Sequence, residues 1–194
     1  MSSILKVDQL QDSGGNEIIT SNGSGTITVN SQTFKNGITM TDQFRLTTSF
    51  VPSDGQVITS NWERADNPTS GFIGTGLTES SGIFTFPQTG IYQLQSTAYW
   101  QAPANNGSRY LTMYPRYSTD SGSSYFPYAY NYTFMNANNG VHYTNNVITD
   151  FIDVTDTSTF SLQFYVESNG AACTLNGNTS ASLTHFVIKR IGDT

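Results

Sequence analysis

The stretch from Ser81 to Trp100 constrains the fold more than any other part of the sequence. An apolar run over 83–86 is followed by Pro87, which cannot donate to a sheet ladder, and by Gly90, which tolerates backbone angles closed to other residues. Apolar or small side chains then alternate with polar ones, at Tyr92, Leu94, Ser96, Ala98 and Trp100. This period of two predicts a half-buried strand after a corner, with the alternating face in the core.

The composition extends the β prediction to the whole chain. Only 11% of the 194 residues are charged, while Ser, Thr, Asn, Gly and Tyr are abundant, as in β-proteins with many turns. No stretch shows a sustained helical period, and the length suits one large all-β domain with one main core.

Short apolar segments separated by turn residues predict a series of strands. We expect them near 44–51, 56–64, 70–77, 82–87, 90–101, 108–118, 124–134, 141–154, 158–168, 172–176 and 182–191. Many short strands without intervening helices indicate an antiparallel sandwich, and a jelly roll is the version that accommodates this number.

Residues 1–43 differ in texture from the rest, because short apolar runs alternate there with glycine turns. No run is long enough to form a core, and such segments become stable by adding strands to a neighbour or by intertwining with copies of themselves. We therefore expect an N-terminal β arm over 1–43 and a head domain over 44–194, the alternative for the arm being a partly disordered leader. The candidate attachment residues of the arm are Ile4, Leu5, Val7 and Leu10.

Charge and cysteine content exclude several partners. The net charge is -6 and the eight Lys and Arg residues form no basic stripe, so we expect neither nucleic acid nor an anionic membrane as a partner. The single cysteine, Cys173, lies among small and apolar residues and is predicted to be a buried thiol. Polar and acidic residues near the start replace the apolar run of a signal peptide, so we expect synthesis in a cytoplasm without membrane insertion.

No motif of a known catalytic site or cofactor site is present. His142 and His185 both lie in predicted strands, and the sequence has no GxSxG elbow, HExxH helix or phosphate-binding glycine loop. We expect a non-enzymatic protein without a cofactor.

Three carboxylates near one predicted strand end, Asp150, Asp153 and Asp156, are candidate calcium ligands. Asp150 and Asp153 would point to opposite strand faces, and the DxDxDG pattern of a dedicated calcium loop is absent. A solvated or capped turn is the favoured interpretation, and no metal is expected.

Four segments of the head occur in an order that resembles a known family. They are GIFTFPQTGIYQLQ at 82–95, DFIDVTD at 150–156, FSLQFYV at 160–166 and SLTHFVIKRI at 182–191. The head in this respect resembles the jelly-roll domain of complement-q and tumour-necrosis-factor proteins, which implies a homotrimer. Residues 4–16 and 25–29 resemble the openings of virion proteins from tailed phages of aquatic bacteria, which implies a fibre or decoration protein.

The many aromatic residues between 110 and 143 must also be accommodated in the fold. Eight tyrosines lie from Tyr110 to Tyr143, and five aromatics alternate with other residues over 126–134, at Phe126, Tyr128, Tyr130, Tyr132 and Phe134. We expect these five to share one strand face, buried partly in the sandwich and partly at the subunit interface.

Aromatic rings and amides in turns could instead contact a host glycan or protein. The candidates for this role are Trp62, Tyr125, Asn138, Asn139 and Tyr143.

The sequence therefore predicts a homotrimeric structural protein of a tailed-phage virion. Its arm would bind another phage structural protein, and its head would adhere to the host surface as a fibre or appendage. The alternative is a capsid decoration protein that stabilises the shell, and a glycan-cleaving tail enzyme comes last because no paired-carboxylate signature is present.

Overall fold

A computed structural model describes residues 9–25, 27–29, 37–136, 138–169 and 172–194. The chain forms two compact units, residues 1–37 and residues 38–194. The predicted boundary after residue 43 is therefore too late. The strand Met40–Leu46 explains the difference, because it pairs with the last strand of the head from Met40 to Arg45.

The N-terminal unit contains one small antiparallel sheet. Its strands are β1 (Gln9–Gln11), β2 (Glu17–Ser21) and β3 (Ile27–Val29), in the order β1-β2-β3. Asp12 closes the first turn, since its carboxylate accepts hydrogen bonds from the backbone N–H groups of Gly14 and Asn16 at 2.8 and 2.9 Å. Hydrogen bonds from Asn16 also lower the pKa of Asp12.

The described residues of the head form strands and turns only. The strands are β4 (Met40–Leu46), β5 (Thr48–Phe50), β6 (Gln56–Val57), β7 (Trp62–Arg64), β8 (Thr78–Ser80), β9 (Ile83–Thr85), β10 (Gly90–Ala102), β11 (Ser108–Ser118), β12 (Thr133–Met135), β13 (His142–Val154), β14 (Ser161–Glu167), β15 (Thr174–Asn178) and β16 (His185–Gly192).

These strands build two antiparallel sheets. The first has seven strands in the order β5-β15-β10-β16-β4-β7, with β13 added along β10. The second has six strands in the order β12-β11-β14-β9-β8, with β6 added to β14. The predicted all-β antiparallel sandwich is confirmed.

An aromatic core fills the space between the sheets. The ring centroids of Phe84, Phe164 and Phe186 lie 4.8 to 6.1 Å apart, and Trp62 packs against all three rings. Aromatic pairs at such distances add about 0.5–1.5 kcal/mol each to the effect of area burial. Rings from both sheets thus form one continuous core.

The stretch 81–100 has the predicted structure. The predicted inward face of β10 is fully buried, and β13 pairs with β10 from Gly90 to Ala102. The Tyr92 hydroxyl donates to the Gln88 carbonyl at 2.7 Å and closes the corner. Gly90 has φ 143°, and a Cβ there would lie 2.6 Å from the carbonyl oxygen of Gly192, so only glycine fits this position.

The predicted strand over 70–77 is wrong. Only Ile73 forms an isolated bridge there, and Gly76 has φ 74°, a conformation that breaks an extended run. A Cβ at Gly76 would lie 2.5 Å from the Asp42 carboxylate, which occupies the space of a side chain.

Two buried charged side chains hold β7 and the loop 65–77 that follows it, which contains no strand. Asp42 is fully buried, pairs with the Arg64 guanidinium at 2.9 and 3.0 Å, and accepts from the Leu77 N–H at 2.8 Å. Arg45 is also fully buried and bonds the side chains of Glu63, Asp66 and Asn67. Buried charges that are paired in this way avoid the desolvation penalty of an isolated ion.

Asn146 on β13 joins the two sheets. Its side-chain oxygen accepts from the Trp100 indole N–H and from the Met113 N–H, both at 3.2 Å. Its amide nitrogen donates to the Met113 carbonyl at 3.0 Å and to the Asn131 side chain at 3.3 Å. Because Asn146 is buried, these bonds satisfy polar groups that water does not reach.

We predict that Asn146→Ala lowers the free energy of unfolding by about 3 kcal/mol, because it leaves three buried polar groups of Trp100 and Met113 without a partner. Urea denaturation measures the change. Asn145→Ala is the control, since Asn145 is an exposed neighbour on the same strand and should change stability by less than about 0.5 kcal/mol. Equal effects of the two substitutions would contradict the role of Asn146.

Candidate functional site

The aromatic segment, residues 126–134, follows the outer edge of β11. At one end, Phe126 and Tyr117 exchange two backbone hydrogen bonds of 2.9 and 3.0 Å. At the other end, β12 pairs with the start of β11, with Met135 opposite Ser108. Residues 127–132 lie between these attachments and belong to no strand.

The edge of β11 has no unsatisfied N–H groups where the segment leaves it. Because Tyr117 directs its N–H and C=O to this edge, Pro115 and Met113 do so too by strand alternation. Pro115 has no N–H group, and both polar groups of Met113 are bonded by Asn146. The segment can therefore leave β11 without leaving a buried donor unpaired.

Tyrosine rings of the segment pack on tyrosine rings of β11. Tyr132 contacts Tyr110 at 5.5 Å between ring centroids. The corresponding pairs of Tyr130 with Tyr114 and of Tyr128 with Tyr117 lie at 6.1 and 6.3 Å. One side of each ring of the segment is thus covered, and the rest of the ring faces solvent.

All five predicted aromatics are exposed in this chain. Tyr128 and Phe134 are 74% and 72% exposed, and the other three are more than half exposed. The predicted strand over 124–134 is wrong, because the segment is paired only at its ends, and none of the five belongs to the core of the sandwich. Their placement at a subunit interface stays a prediction.

Glu167 on β14 lies beside the same tyrosines. Its carboxylate accepts hydrogen bonds from the hydroxyl of Tyr114 at 3.0 Å and from that of Tyr132 at 3.3 Å. Burial, followed by the charge and hydrogen bond of Glu167, raises the pKa of both tyrosines. A recess of about 420 Å³ is lined by Tyr110, Tyr132 and Glu167.

A second recess, of about 250 Å³, lies at the edge of the sandwich between β11 and β13. The Tyr117 hydroxyl donates there to the Asp150 carboxylate at 2.9 Å, and burial followed by this carboxylate raises the pKa of Tyr117. Exposed rings of Tyr128 and Phe151 form part of its lining. The aromatic segment and β13 thus share a continuous apolar surface.

The structure corrects one predicted receptor contact. Trp62 is 8% exposed and packs within the aromatic core, with its indole N–H donating to the Ile58 carbonyl. The strand β7 directs this side chain inward, so Trp62 is a core residue.

The other four predicted contacts do not form a single site. Asn138 and Asn139 are exposed in the turn before β13, and Tyr143 stacks on Tyr99 with ring centroids 5.6 Å apart. Tyr125 is half-buried and bonds the Ser161 hydroxyl near the opposite end of β11. A receptor role for these four residues stays a prediction.

The three aspartates predicted as candidate calcium ligands have separate surroundings. Asp150 accepts from Tyr117, Asp153 is exposed, and Asp156 caps a turn by accepting from the N–H and hydroxyl of Ser158. Hydrogen bonds from Ser158 lower the pKa of Asp156. Among the described residues, no group of three or more His, Cys, Asp or Glu side chains is arranged to hold a metal ion.

The histidines, the cysteine and one candidate attachment residue lie among the described residues. His142 and His185 lie in strands, as predicted, and Cys173 is fully buried, which raises the pKa of its thiol. Leu10 is 51% exposed in β1, whereas Ile4, Leu5 and Val7 lie outside the described residues. No helix in the described ranges is long and apolar enough to cross a membrane.

Sequence reasoning missed Glu167 and Asn146. The alternation on the predicted strand 108–118 places Tyr110 and Tyr114 on one face and could have located the first recess in part. Glu167 carried no signal, because its pairing with Thr112 depends on which strands become neighbours.

Comparison with solved structures supports the jelly-roll fold. The crystal structure of murine APRIL at pH 5.0, a jelly-roll protein of the tumour-necrosis-factor family, matches with a TM-score of 0.51. The match covers 78% of this chain and 98% of that chain at 11% sequence identity, so it shows the fold alone. No protein-family model and no curated protein sequence matches the chain.

We predict that neither EDTA nor millimolar calcium changes the melting temperature, because Asp150 and Asp156 already accept hydrogen bonds from neighbouring side chains. Differential scanning calorimetry of the full chain measures the effect. A calcium-dependent rise of several degrees would contradict the interpretation, and magnesium serves as the control for a general ionic effect.

Proposed function

We propose that the chain is a non-enzymatic, homotrimeric structural protein of a tailed-phage virion, whose jelly-roll head is exposed for adhesion to the host surface. The virion assignment is supported by the resemblance of residues 4–16 and 25–29 to phage virion proteins. The resemblance of the head to trimeric jelly-roll families supports the oligomeric state.

The observation that carries the proposal is the exposed aromatic segment on an otherwise closed sandwich. The core of the head is complete within one chain, so the exposed rings are not needed to fill it. The exposed ring of Phe151 on β13 lines the same recess as the exposed ring of Tyr128. A contiguous apolar patch of this kind is typical of an interaction surface.

Tyrosine suits a contact between copies of the chain. Its ring contributes a large apolar area, while its hydroxyl keeps a hydrogen bond at the rim of an interface. Contact through one edge of the sandwich is heterologous, and three copies related by a closing rotation would bury every copy of the patch.

The alternative function is a capsid decoration protein that stabilises the shell. In this role the exposed aromatic segment would contact the capsid instead of the host surface. Electron microscopy of intact virions separates the two functions. Density for this protein at the tail tip supports adhesion, and density at capsid threefold positions supports decoration.

We predict that the full chain elutes as a trimer and that the double variant Tyr128→Ser, Phe134→Ser elutes as a monomer of 21.2 kDa. These are the two most exposed rings of the aromatic segment, and their truncation removes apolar area without opening the core. Size-exclusion chromatography with light scattering measures the mass.

Val51→Ser is the matched control for this experiment. Val51 is 55% exposed and follows β5, the last strand at one end of the first sheet, so the variant should remain a trimer. A monomeric wild-type chain would contradict the trimer, and a trimeric double variant would move the interface away from the segment.

We predict that a chain without residues 1–37 still forms trimers but is missing from virions, because these residues form a separate compact unit. Complementation of a phage that lacks the protein, followed by immunoblotting of purified particles, measures incorporation. A truncated chain that no longer trimerises would show that the N-terminal unit also holds the subunits together.

A further inference from the structure

The recess beside Glu167 combines aromatic walls with a carboxylate. The rings of Tyr110 and Tyr132 meet at 74° with their centroids 5.5 Å apart, so they form two walls of a corner. Glu167 supplies a third side, and the recess has a volume of about 420 Å³. All three residues belong to one chain, so the recess does not depend on the proposed trimer.

Within the described ranges, no cationic side chain forms an ion pair with this carboxylate. The ion pairs in the described part of the chain involve Arg45, Arg64 and Arg190, and none of them includes Glu167. The only hydrogen bonds that the described residues donate to its carboxylate come from two neutral tyrosine hydroxyls. These hydroxyls orient the carboxylate, and their raised pKa keeps them protonated, but they leave its full charge in place.

This chemistry selects among possible ligands. An anion would be repelled by Glu167, and a neutral sugar could stack on the ring faces and donate hydroxyls to the carboxylate but would not compensate its charge. An alkylated ammonium group uses both features, because ring faces attract cations and the carboxylate adds a Coulomb attraction that partial desolvation strengthens. The volume exceeds that of such a group, so the remainder of a ligand can extend towards solvent.

We propose that the recess lined by Tyr110, Tyr132 and Glu167 binds an alkylated ammonium group. The group can belong to a soluble molecule or to a lipid headgroup, since both present the same cation. Because Tyr132 also belongs to the aromatic segment, this binding requires that the interface between copies leave the Tyr132 end of the segment uncovered.

Isothermal titration calorimetry of the full chain with choline tests the proposal. The matched probe is 3,3-dimethylbutan-1-ol, which has the same shape but no charge. We expect choline to bind about tenfold tighter than the neutral alcohol, because only choline makes a cation–π contact with the rings and a Coulomb contact with the carboxylate. Equal binding of the two compounds, or no binding of choline, would overturn the proposal, as would preference for a methyl glycoside over choline.

Two variants connect the binding to the recess. Glu167→Gln keeps the size of the side chain and removes the charge, so it should reduce the preference for choline over the neutral alcohol to the part that the ring faces supply. Tyr110→Leu should weaken binding of both compounds. Phe72→Leu, which alters an exposed aromatic ring outside the recess, should leave both unchanged.

The retained fold of each variant is checked by its melting temperature. If Glu167→Gln folds and prefers choline as strongly as the wild-type chain does, the charge is not used and the proposal is wrong. The wild-type comparison needs no variant, so a poorly folded variant does not prevent the test.

Cosedimentation with phosphatidylcholine vesicles distinguishes the sources of the cation. Sedimentation of the wild-type chain that Glu167→Gln abolishes supports a lipid headgroup, and choline binding without sedimentation supports a soluble or polymer-bound ligand. Trimerisation is measured independently by light scattering, so failure of this site and failure of the trimer give different results.

Discussion

The exposed surface depends on how the backbone N–H and C=O groups at the open edge of β11 are satisfied. These groups lie at a buried boundary between the two sheets and need hydrogen-bond partners. A neighbouring strand would normally satisfy them. Here the Asn146 side chain bonds both groups of Met113, while Pro115 has no N–H group to satisfy. The backbone over 127–132 is therefore free from the ladder, and its tyrosines can project on the outer side of the sheet.

The jelly-roll fold of this chain also occurs in murine APRIL at 11% sequence identity, so the fold tolerates almost complete replacement of its sequence. A fold of this kind does not specify a function. The distinguishing chemistry lies on the edge formed by β11, β12 and β13, where tyrosine rings surround the carboxylates of Asp150 and Glu167.

The local sequence predicts a strand when apolar and polar residues alternate without interruption and no residue on a neighbouring strand prevents pairing. Strand β10 is the best example, since its inward face and its glycine corner both follow from the residues of 81–100. The alternation over 126–134 predicted a strand that does not form, because the residues that decide the pairing, Pro115 and Asn146, lie on neighbouring strands. Trp62 was assigned to the surface for a related reason: a short strand gives too few residues to show which face is buried. The recess at Glu167 required strand pairing that no local pattern encodes.

The attachment of the aromatic segment at three points has a mechanical consequence. Its two ends are hydrogen-bonded to β11, and between them Asn131 donates to the Val147 carbonyl of β13 at 2.8 Å. A tensile force applied to Tyr130 or Tyr132 would be divided between both sheets instead of peeling one edge strand residue by residue. An adhesive contact on these rings would transmit its load through Asn146 to the Trp100 indole in the interior, so the whole sandwich would resist detachment.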